Sequence, residues 1–176
     1  MAGIAVAAMV GLGVITVVDT TFTATARELP CERMPGTAHP FEGDRHLAYD
    51  GQDHPAYQTV PPTSGWHSPQ VAAPGVYREP IPEELQVHFL EHGHVLIQYA
   101  PATPDRTVEV LETIARRNPR DVAVAPYPKL GKGVALTGWQ RSQLLAELDQ
   151  PAVEAFVAAV AGRYEHTWKR GATACV

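Results

Sequence analysis

Proline is concentrated in one stretch of the chain, and this limits what that stretch can fold into. Most of the 16 prolines lie between Pro30 and Pro82. Proline lacks a backbone N–H and fixes φ, so it interrupts helices and is excluded from central strands. Turn-forming pairs such as Asp50-Gly51 lie in the same stretch. Residues 31–82 are therefore predicted to form an extended arm, rich in Pro, Gly and His, with little regular structure.

The chain after Pro82 has helix and strand periodicity, so residues 83–176 are predicted to form an α+β core. Leu85, His88 and His92 follow helical spacing, and Gly93 is placed to end that helix. The other predicted elements are a strand over 94–99, a helix over 105–117, strands over 122–125 and 134–137, a short helix over 142–148 and a helix over 151–164. The order α-β-α-β-β-α predicts a small α+β sandwich, with arm and core in one domain over residues 31–176.

Residues 1–30 are predicted to be a signal or transmembrane segment followed by a Thr-rich linker. The run from Met1 to Val18 has no charged side chain, and about 18 apolar residues is the lower limit for crossing a bilayer. Ala24-Thr25-Ala26 offers a small-x-small cleavage pattern. No Lys or Arg precedes the run, which leaves a buried N-terminal helix or strand as the alternative. Under the first interpretation the protein is exported, either secreted or attached to the membrane, and its domain is extracytoplasmic.

The two cysteines agree with export. A bond between Cys31 and Cys175 would close nearly the whole mature chain into one loop. In the chain-entropy model a loop of more than about 100 residues contributes roughly 4–5 kcal/mol. Such bonds persist in oxidising compartments and rarely in the cytosol. Two free thiols near the termini are the alternative.

Charge and composition argue against one class of binding partner and indicate one type of chemistry. The formal net charge of -5 argues against nucleic acid, since a nucleic-acid binder needs a basic surface. Eight histidines against 14 Lys plus Arg is a high proportion and suggests imidazole chemistry.

The predicted helix before Gly93 carries a pair of histidines that can chelate a metal. His88 and His92 are four residues apart, so their rings project from one side of the helix, one turn apart. Glu91 completes His-x-x-Glu-His, the letters of the inverted zinc-protease motif, in which the Glu acts on water. Glu91 is therefore a candidate base. A metal site also requires a third ligand, and a helical His pair without one is structural or exposed.

His67 is the candidate third ligand, because the sequence before it restricts the backbone. Pro61-Pro62-Thr63-Ser64-Gly65-Trp66 combines fixed φ angles, a glycine and hydroxyl groups that can bond the turn backbone. Such a loop holds an imidazole rigidly. The alternative is a structural loop in which the ring bonds a carbonyl.

Other side chains are assigned supporting or peripheral positions. His46 is the candidate fourth ligand, His54 is its alternative, and His39 is a further upstream histidine. Hydrogen bonds that hold the ligands are expected from Tyr57, Tyr99 and Ser64. The histidines expected to lie outside the site are His94, on a strand, and His166, at the surface.

Two blocks of sequence resemble the bacterial domain-of-unknown-function 3105 family. They are Pro-Pro-Thr-Ser-Gly-x-His, ending at His67, and His-x-Leu-Glu-His-Gly, beginning at His88. The resemblance covers roughly residues 44–160. His67, His88, Glu91 and His92 match motif positions, and His46, with His54 as its alternative, matches an upstream histidine. The resemblance implies an N-terminal membrane segment, an extracytoplasmic domain and a shared site, but no reaction.

Three functions are compatible with these features. The first is an extracytoplasmic metal-binding protein with copper or zinc on His67, His88, His92 and His46 or His54. The second is a metal-free envelope interaction or structural domain with an unidentified protein partner, in which the histidines fasten the arm to the core. The third is a metal-dependent hydrolase or redox enzyme, which requires an open pocket beside Glu91.

Overall fold

The computed structural model describes residues 33–166, which form a mixed sheet and three helices. This confirms the predicted α+β class. In chain order the elements of this part of the chain are β1 (Thr37–Ala38), β2 (Gly75–Val76), α1 (Glu83–Glu91), β3 (Val95–Tyr99), α2 (Asp105–Arg117), β4 (Val122–Pro126), β5 (Val134–Gly138), β6 (Arg141–Leu145) and α3 (Gln150–Val160).

The six strands form one sheet in the order β1-β6-β5-β3-β4-β2. β3 and β4 pair in parallel, and α2 provides the crossover connection that parallel neighbours require. β5 pairs antiparallel with β3, and β6 pairs antiparallel with β5. Strand β3 is therefore central, and the segment that follows α1 leads directly into the middle of the sheet.

Helices cover both faces of the sheet, which explains why the central strands are buried on both faces and mostly apolar. On one face Ile97 of β3 packs with Ile114 of α2 and Phe156 of α3. On the other face its neighbour Leu96 packs with Phe89 of α1. Successive strand residues point to opposite faces, so α1 lies on the face opposite α2 and α3, where Tyr57 and Tyr77 of the arm also pack.

The predicted helix over residues 142–148 is wrong, because this segment is strand β6. The chain reverses at Trp139-Gln140, where Gln140 has a φ of 54°, and Leu145 pairs with Val134 of β5. Pairing with an already buried strand overrides the weak local helical pattern. The last helix was predicted to reach residue 164, but α3 ends at Val160.

The arm has little regular structure, as predicted, yet it belongs to the sheet. Its two short strands, β1 and β2, form the two edges of the sheet. Met34 is buried in the main core cluster. Short edge strands leave little unpaired backbone exposed to other chains.

The predictions for residues 1–30 and for the cysteine pair lie outside the described residues, as do Cys31 and Cys175 themselves. Within residues 33–166, no helix combines the length and the apolar character needed to cross a membrane.

His39 fastens the arm to β6 rather than to the other histidines. Its Nε2 lies 2.8 Å from Ser142 Oγ, and its backbone N–H donates to the Gln140 carbonyl at 2.8 Å. Burial lowers the pKa of His39 from its usual 6.5, with smaller opposing effects of Glu42 (raising) and Arg141 (lowering).

This lowered pKa predicts an acid-sensitive contribution to stability. The unfolded chain protonates His39 more readily than the folded chain, so the contribution is complete above pH 6.5 and is lost as the pH falls below that value. A His39→Gln variant should show a smaller decrease in unfolding free energy between about pH 7.5 and about pH 5.5 than the unchanged protein. Chemical denaturation at the two pH values measures the unfolding free energy of each protein. Parallel pH profiles would contradict the prediction, and a comparison near pH 8 isolates the loss of the Ser142 bond.

Candidate metal centre

The C-terminal end of α1 presents three polar side chains to one region. His88, Glu91 and His92 are spaced i, i+3, i+4, so they lie on neighbouring positions of the helix surface. The helix ends at Glu91, and Gly93 follows with a φ of +78°, as predicted for a helix stop. The partial negative charge at a helix C-terminus favours cations there.

The proline-bounded loop before His67 is buried and tightly bonded. Residues 61–65 are all buried. The Gln140 N–H donates to the Thr63 carbonyl at 2.8 Å, and the Glu42 N–H donates to Ser64 Oγ at 3.1 Å. The Ser64 hydroxyl therefore connects two stretches of the arm through a backbone N–H.

Tyr57 also supports this loop from outside. Its hydroxyl donates to the Trp66 carbonyl at 2.6 Å, and its ring lies against Gly65, which has a φ of +123°. A side chain at Gly65 would meet that ring. Tyr57 fixes the backbone one residue before His67, so it supports the site through the loop rather than through a bond to a His67 ring atom.

Backbone pairing places His46 beside His67. The two residues form an isolated parallel bridge in which the Leu47 N–H donates to the His67 carbonyl at 2.7 Å and the His67 N–H donates to the Arg45 carbonyl at 3.0 Å. The ring centroids of the two histidines are 4.6 Å apart. This pairing delivers two imidazoles from the arm to one place.

The arm and the helix bring four side chains together. His46, His67, His88 and Glu91 each offer one nitrogen or oxygen, and these four atoms lie within 4.8 Å of one another. The rings of His67 and His88 are 5.0 Å apart. His67 is 0% exposed and Glu91 is 3% exposed, whereas the His46 side chain is 48% exposed. This set is called the inner group below; it is closed on the core side and open at His46.

Three imidazoles are oriented by oxygen atoms at Nδ1. His67 Nδ1 lies 2.8 Å from the Gly65 carbonyl oxygen, and His88 Nδ1 lies 2.9 Å from that of Gln70. His92 Nδ1 lies 3.1 Å from Glu165 Oε1. Carbonyl and carboxylate oxygens only accept, so each Nδ1 carries a hydrogen and Nε2 is the nitrogen left to bind a metal ion. This arrangement of the outer nitrogen is the usual one for metal-binding histidines.

The ring nitrogens that these hydrogen bonds leave unused lie close to other ligand atoms. His67 Nε2 and Glu91 Oε2 are 3.1 Å apart, both are buried, and neither has a hydrogen-bond partner among residues 33–166. His88 Nε2 and His92 Nε2 are also 3.1 Å apart. Two ligands of one ion at about 2.0–2.1 Å lie roughly 3.0–3.4 Å apart. Paired lone pairs at this spacing require a shared cation, either a proton or a metal ion.

The charge states also suit ligands. Burial raises the pKa of Glu91, but the neighbouring imidazoles of His67, His166 and His46 outweigh it, so the pKa lies below the usual 4.5. Burial lowers the pKa of His88 from 6.5. At neutral pH the carboxylate is ionised and His88 is neutral, the forms that bind metal.

The remaining predicted site residues lie elsewhere. His92 belongs to a neighbouring group, with Glu165 and His166, and reaches the inner group only through His88. His54 lies outside both groups, with its Nε2 3.3 Å from Glu84 Oε1. Tyr99 ends β3, the strand that begins just after α1, so a whole strand separates it from the helix end that carries the histidines.

Sequence reasoning missed Glu165 and His166. The chain turns after α3, and Gly162 donates its N–H to the Gly93 carbonyl at 2.7 Å. The His166 N–H then donates to the Glu91 carbonyl at 3.2 Å. His166 was predicted to be at the surface, and its side chain is 52% exposed, but its Nδ1 lies 3.5 Å from Glu91 Oε2. The adjacent Glu-His pair was the only local signal.

Gly93 is where this last segment approaches α1, which gives a stability prediction. A Cβ at Gly93 would overlap the Tyr164 carbonyl oxygen, and its positive φ disfavours other residues. Gly93→Ala should lower the unfolding free energy by more than about 2 kcal/mol, as measured by chemical denaturation.

The matched control is Gly131→Ala. Gly131 has open space around its Cβ position, so its substitution should change the unfolding free energy by less than about 1 kcal/mol. Equal effects of the two substitutions would show that the contact between Gly93 and Tyr164 is unimportant.

Comparison with known proteins gives a family without an activity. The family model described as "Protein of unknown function (DUF3105)" matches residues 50–174. No curated protein and no solved structure matches the chain. The matched range contains His67, His88, Glu91 and His92, the residues of the two sequence blocks that resembled this family. The chain therefore belongs to the DUF3105 family of proteins of unknown function.

Proposed function

We propose that this protein is an exported metal-binding protein whose inner group, His46, His67, His88 and Glu91, holds a divalent copper or zinc ion. The observation that carries the proposal is the buried pair of His67 Nε2 and Glu91 Oε2, 3.1 Å apart and outside hydrogen-bond geometry. A buried polar atom without a partner costs about 1–3 kcal/mol, and a charged one costs more. A cation bound by both atoms removes that cost.

The ligand types favour copper and zinc. Imidazole nitrogen suits both ions, and a set of three imidazoles and one carboxylate is within the range of zinc ligands. Divalent copper binds more tightly than zinc to most sites of this type. Hard cations such as calcium prefer six or more oxygen ligands, which the inner group does not offer.

The burial of the ligands favours retention of the ion over turnover. His67, His88 and Glu91 are at most 6% exposed, so only the side of His46 faces solvent. A four-ligand site of this kind is structural or serves to carry the ion, whereas catalysis requires an open position. Glu91 is therefore proposed as a ligand, and its role as a base stays a prediction.

Metal binding should depend on the inner group and not on other histidines. Purified full-length chain without a histidine tag should retain copper or zinc after loading and desalting. His67→Ala and His88→Ala should each weaken binding by more than about 100-fold, because each removes a ligand. Elemental analysis gives the stoichiometry, and competition with a chromophoric chelator gives the affinity.

The matched control is His54→Ala, which removes a histidine outside both groups. It should bind metal like the unchanged protein. Absence of bound metal in the unchanged protein, or full retention in both ligand variants, would refute the proposal. If the unchanged protein binds no metal and is nevertheless folded, an envelope interaction domain is favoured, in which the contact between His67 and Glu91 fastens the arm to the core.

Export is supported by the uncharged run from Met1 to Val18 and by the pair Cys31 and Cys175. An alkaline phosphatase fused after residue 176 should be active in a bacterial host only if the chain is exported, because that enzyme needs disulfides. Deleting residues 1–26 should abolish its activity while the fusion protein still accumulates. Equal activity with and without these residues would refute export by this segment.

A further inference from the structure

His92, Glu165 and His166 form a second set of metal-binding side chains beside the inner group; they are called the outer group here. Each offers one ligand atom, and these atoms lie within 4.8 Å of one another. His92 Nδ1 is 3.1 Å from Glu165 Oε1, and His166 Nε2 is 3.9 Å from the same oxygen. Two imidazoles and a carboxylate are a suitable partial ligand set for zinc or copper.

The His92 ring presents one nitrogen to each group. Its Nδ1 faces Glu165, and its Nε2 lies 3.1 Å from His88 Nε2 in the inner group. The rings of His88 and His92 are nearly parallel, at 27° with centroids 4.9 Å apart. A single imidazole therefore connects the two sets of ligands.

His166 provides a second connection. Its Nε2 faces Glu165, while its Nδ1 lies 3.5 Å from Glu91 Oε2. That oxygen is buried and has no hydrogen-bond partner within residues 33–166. A buried carboxylate oxygen thus faces an imidazole from each group, since His67 approaches it at 3.1 Å from the inner side.

We infer that the outer group binds a second divalent transition-metal cation, so that the centre holds two ions joined by the His92 ring. The inference rests on the proposed function, because the first ion occupies the inner group. The 3.1 Å between His92 Nδ1 and Glu165 Oε1 fits a hydrogen bond and equally fits two ligands of one ion.

Binding of the second ion displaces a proton from the His92 ring. In the joined centre the first ion takes His92 Nε2, 3.1 Å from its ligand atom His88 Nε2, as a fifth ligand beside the four of the inner group. Until a second ion binds, His92 keeps its proton on Nδ1, where it bonds Glu165. The second ion replaces that proton, which leaves to solvent, and the ring becomes an anionic bridge. The negative ring, the carboxylates of Glu91 and Glu165, and the C-terminus of α1 all reduce the repulsion between two cations.

Solvent access distinguishes the two positions. The outer side chains are 31%, 54% and 52% exposed for His92, Glu165 and His166, whereas His67 and Glu91 are at most 3% exposed. The outer ion should therefore bind second and should be removed first by a chelator.

Divalent copper is the probe for the test, added to the full-length chain without a histidine tag. The unchanged protein should bind two ions, and its integrated electron paramagnetic resonance intensity should lie well below that of two isolated spins, because bridged copper ions couple. Glu165→Gln and His166→Ala should each bind one ion with the full intensity of one spin. His54→Ala should behave like the unchanged protein, and circular dichroism should show that the variants are folded.

The possible outcomes separate the inference from the proposed function. Saturation of the unchanged protein at one ion overturns the inference and leaves the proposed function standing. A second ion that persists in both outer-group variants, or two ions with full uncoupled intensity, also overturns it. No bound copper at all refutes the proposed function, and the inference with it.

Discussion

The burial of one carboxylate at the end of α1 organises this protein. Glu91 is 3% exposed, and its Oε2 lies within 4.0 Å of imidazole nitrogens of His46, His67 and His166. An ionised carboxylate removed from water is costly unless a cation is close. These contacts therefore connect three separate segments of the chain to the end of α1. A cation shared by these side chains, such as the proposed metal ion, would provide that positive charge.

Backbone hydrogen bonds position the segments that carry these histidines. The His46–His67 bridge holds two stretches of the arm together, and the hydrogen bond that the Gln140 N–H, in the turn after β5, donates to the Thr63 carbonyl connects the same loop to the sheet. The Gly162–Gly93 bond ties the end of the chain to the end of α1. The imidazoles of His67, His88 and His92 are then oriented by oxygen acceptors, so little rotamer freedom of these three rings remains to be lost when a ligand binds. The centre is preorganised by parts of the chain far apart in sequence.

Part of the fold could be read directly from residue patterns. The helix before Gly93, the central strands and the amphipathic α2 follow from local periodicity and from glycine at a positive φ. The hairpin formed by β5 and β6 could not be read this way. The segment from Ser142 has no strong strand pattern, and it is a strand because β5 offers it a partner. In the same way, β1 and β2 are too short to give a signal and exist only as edges of a sheet built by other segments.

The sequence by itself determined the types of candidate ligand and two of the elements that carry them. The spacing of His88, Glu91 and His92 places them on one helical surface, and the constrained loop before His67 predicts a rigid imidazole, because both are local consequences of backbone geometry. Only the tertiary structure decided which side chains meet. It placed His46 rather than His54 beside them, sent Tyr99 to the far end of β3, and brought Glu165 and His166 to the helix end. These contacts depend on how α3 ends and how the arm docks. Such long-range packing produces no periodic pattern in the sequence of the residues involved.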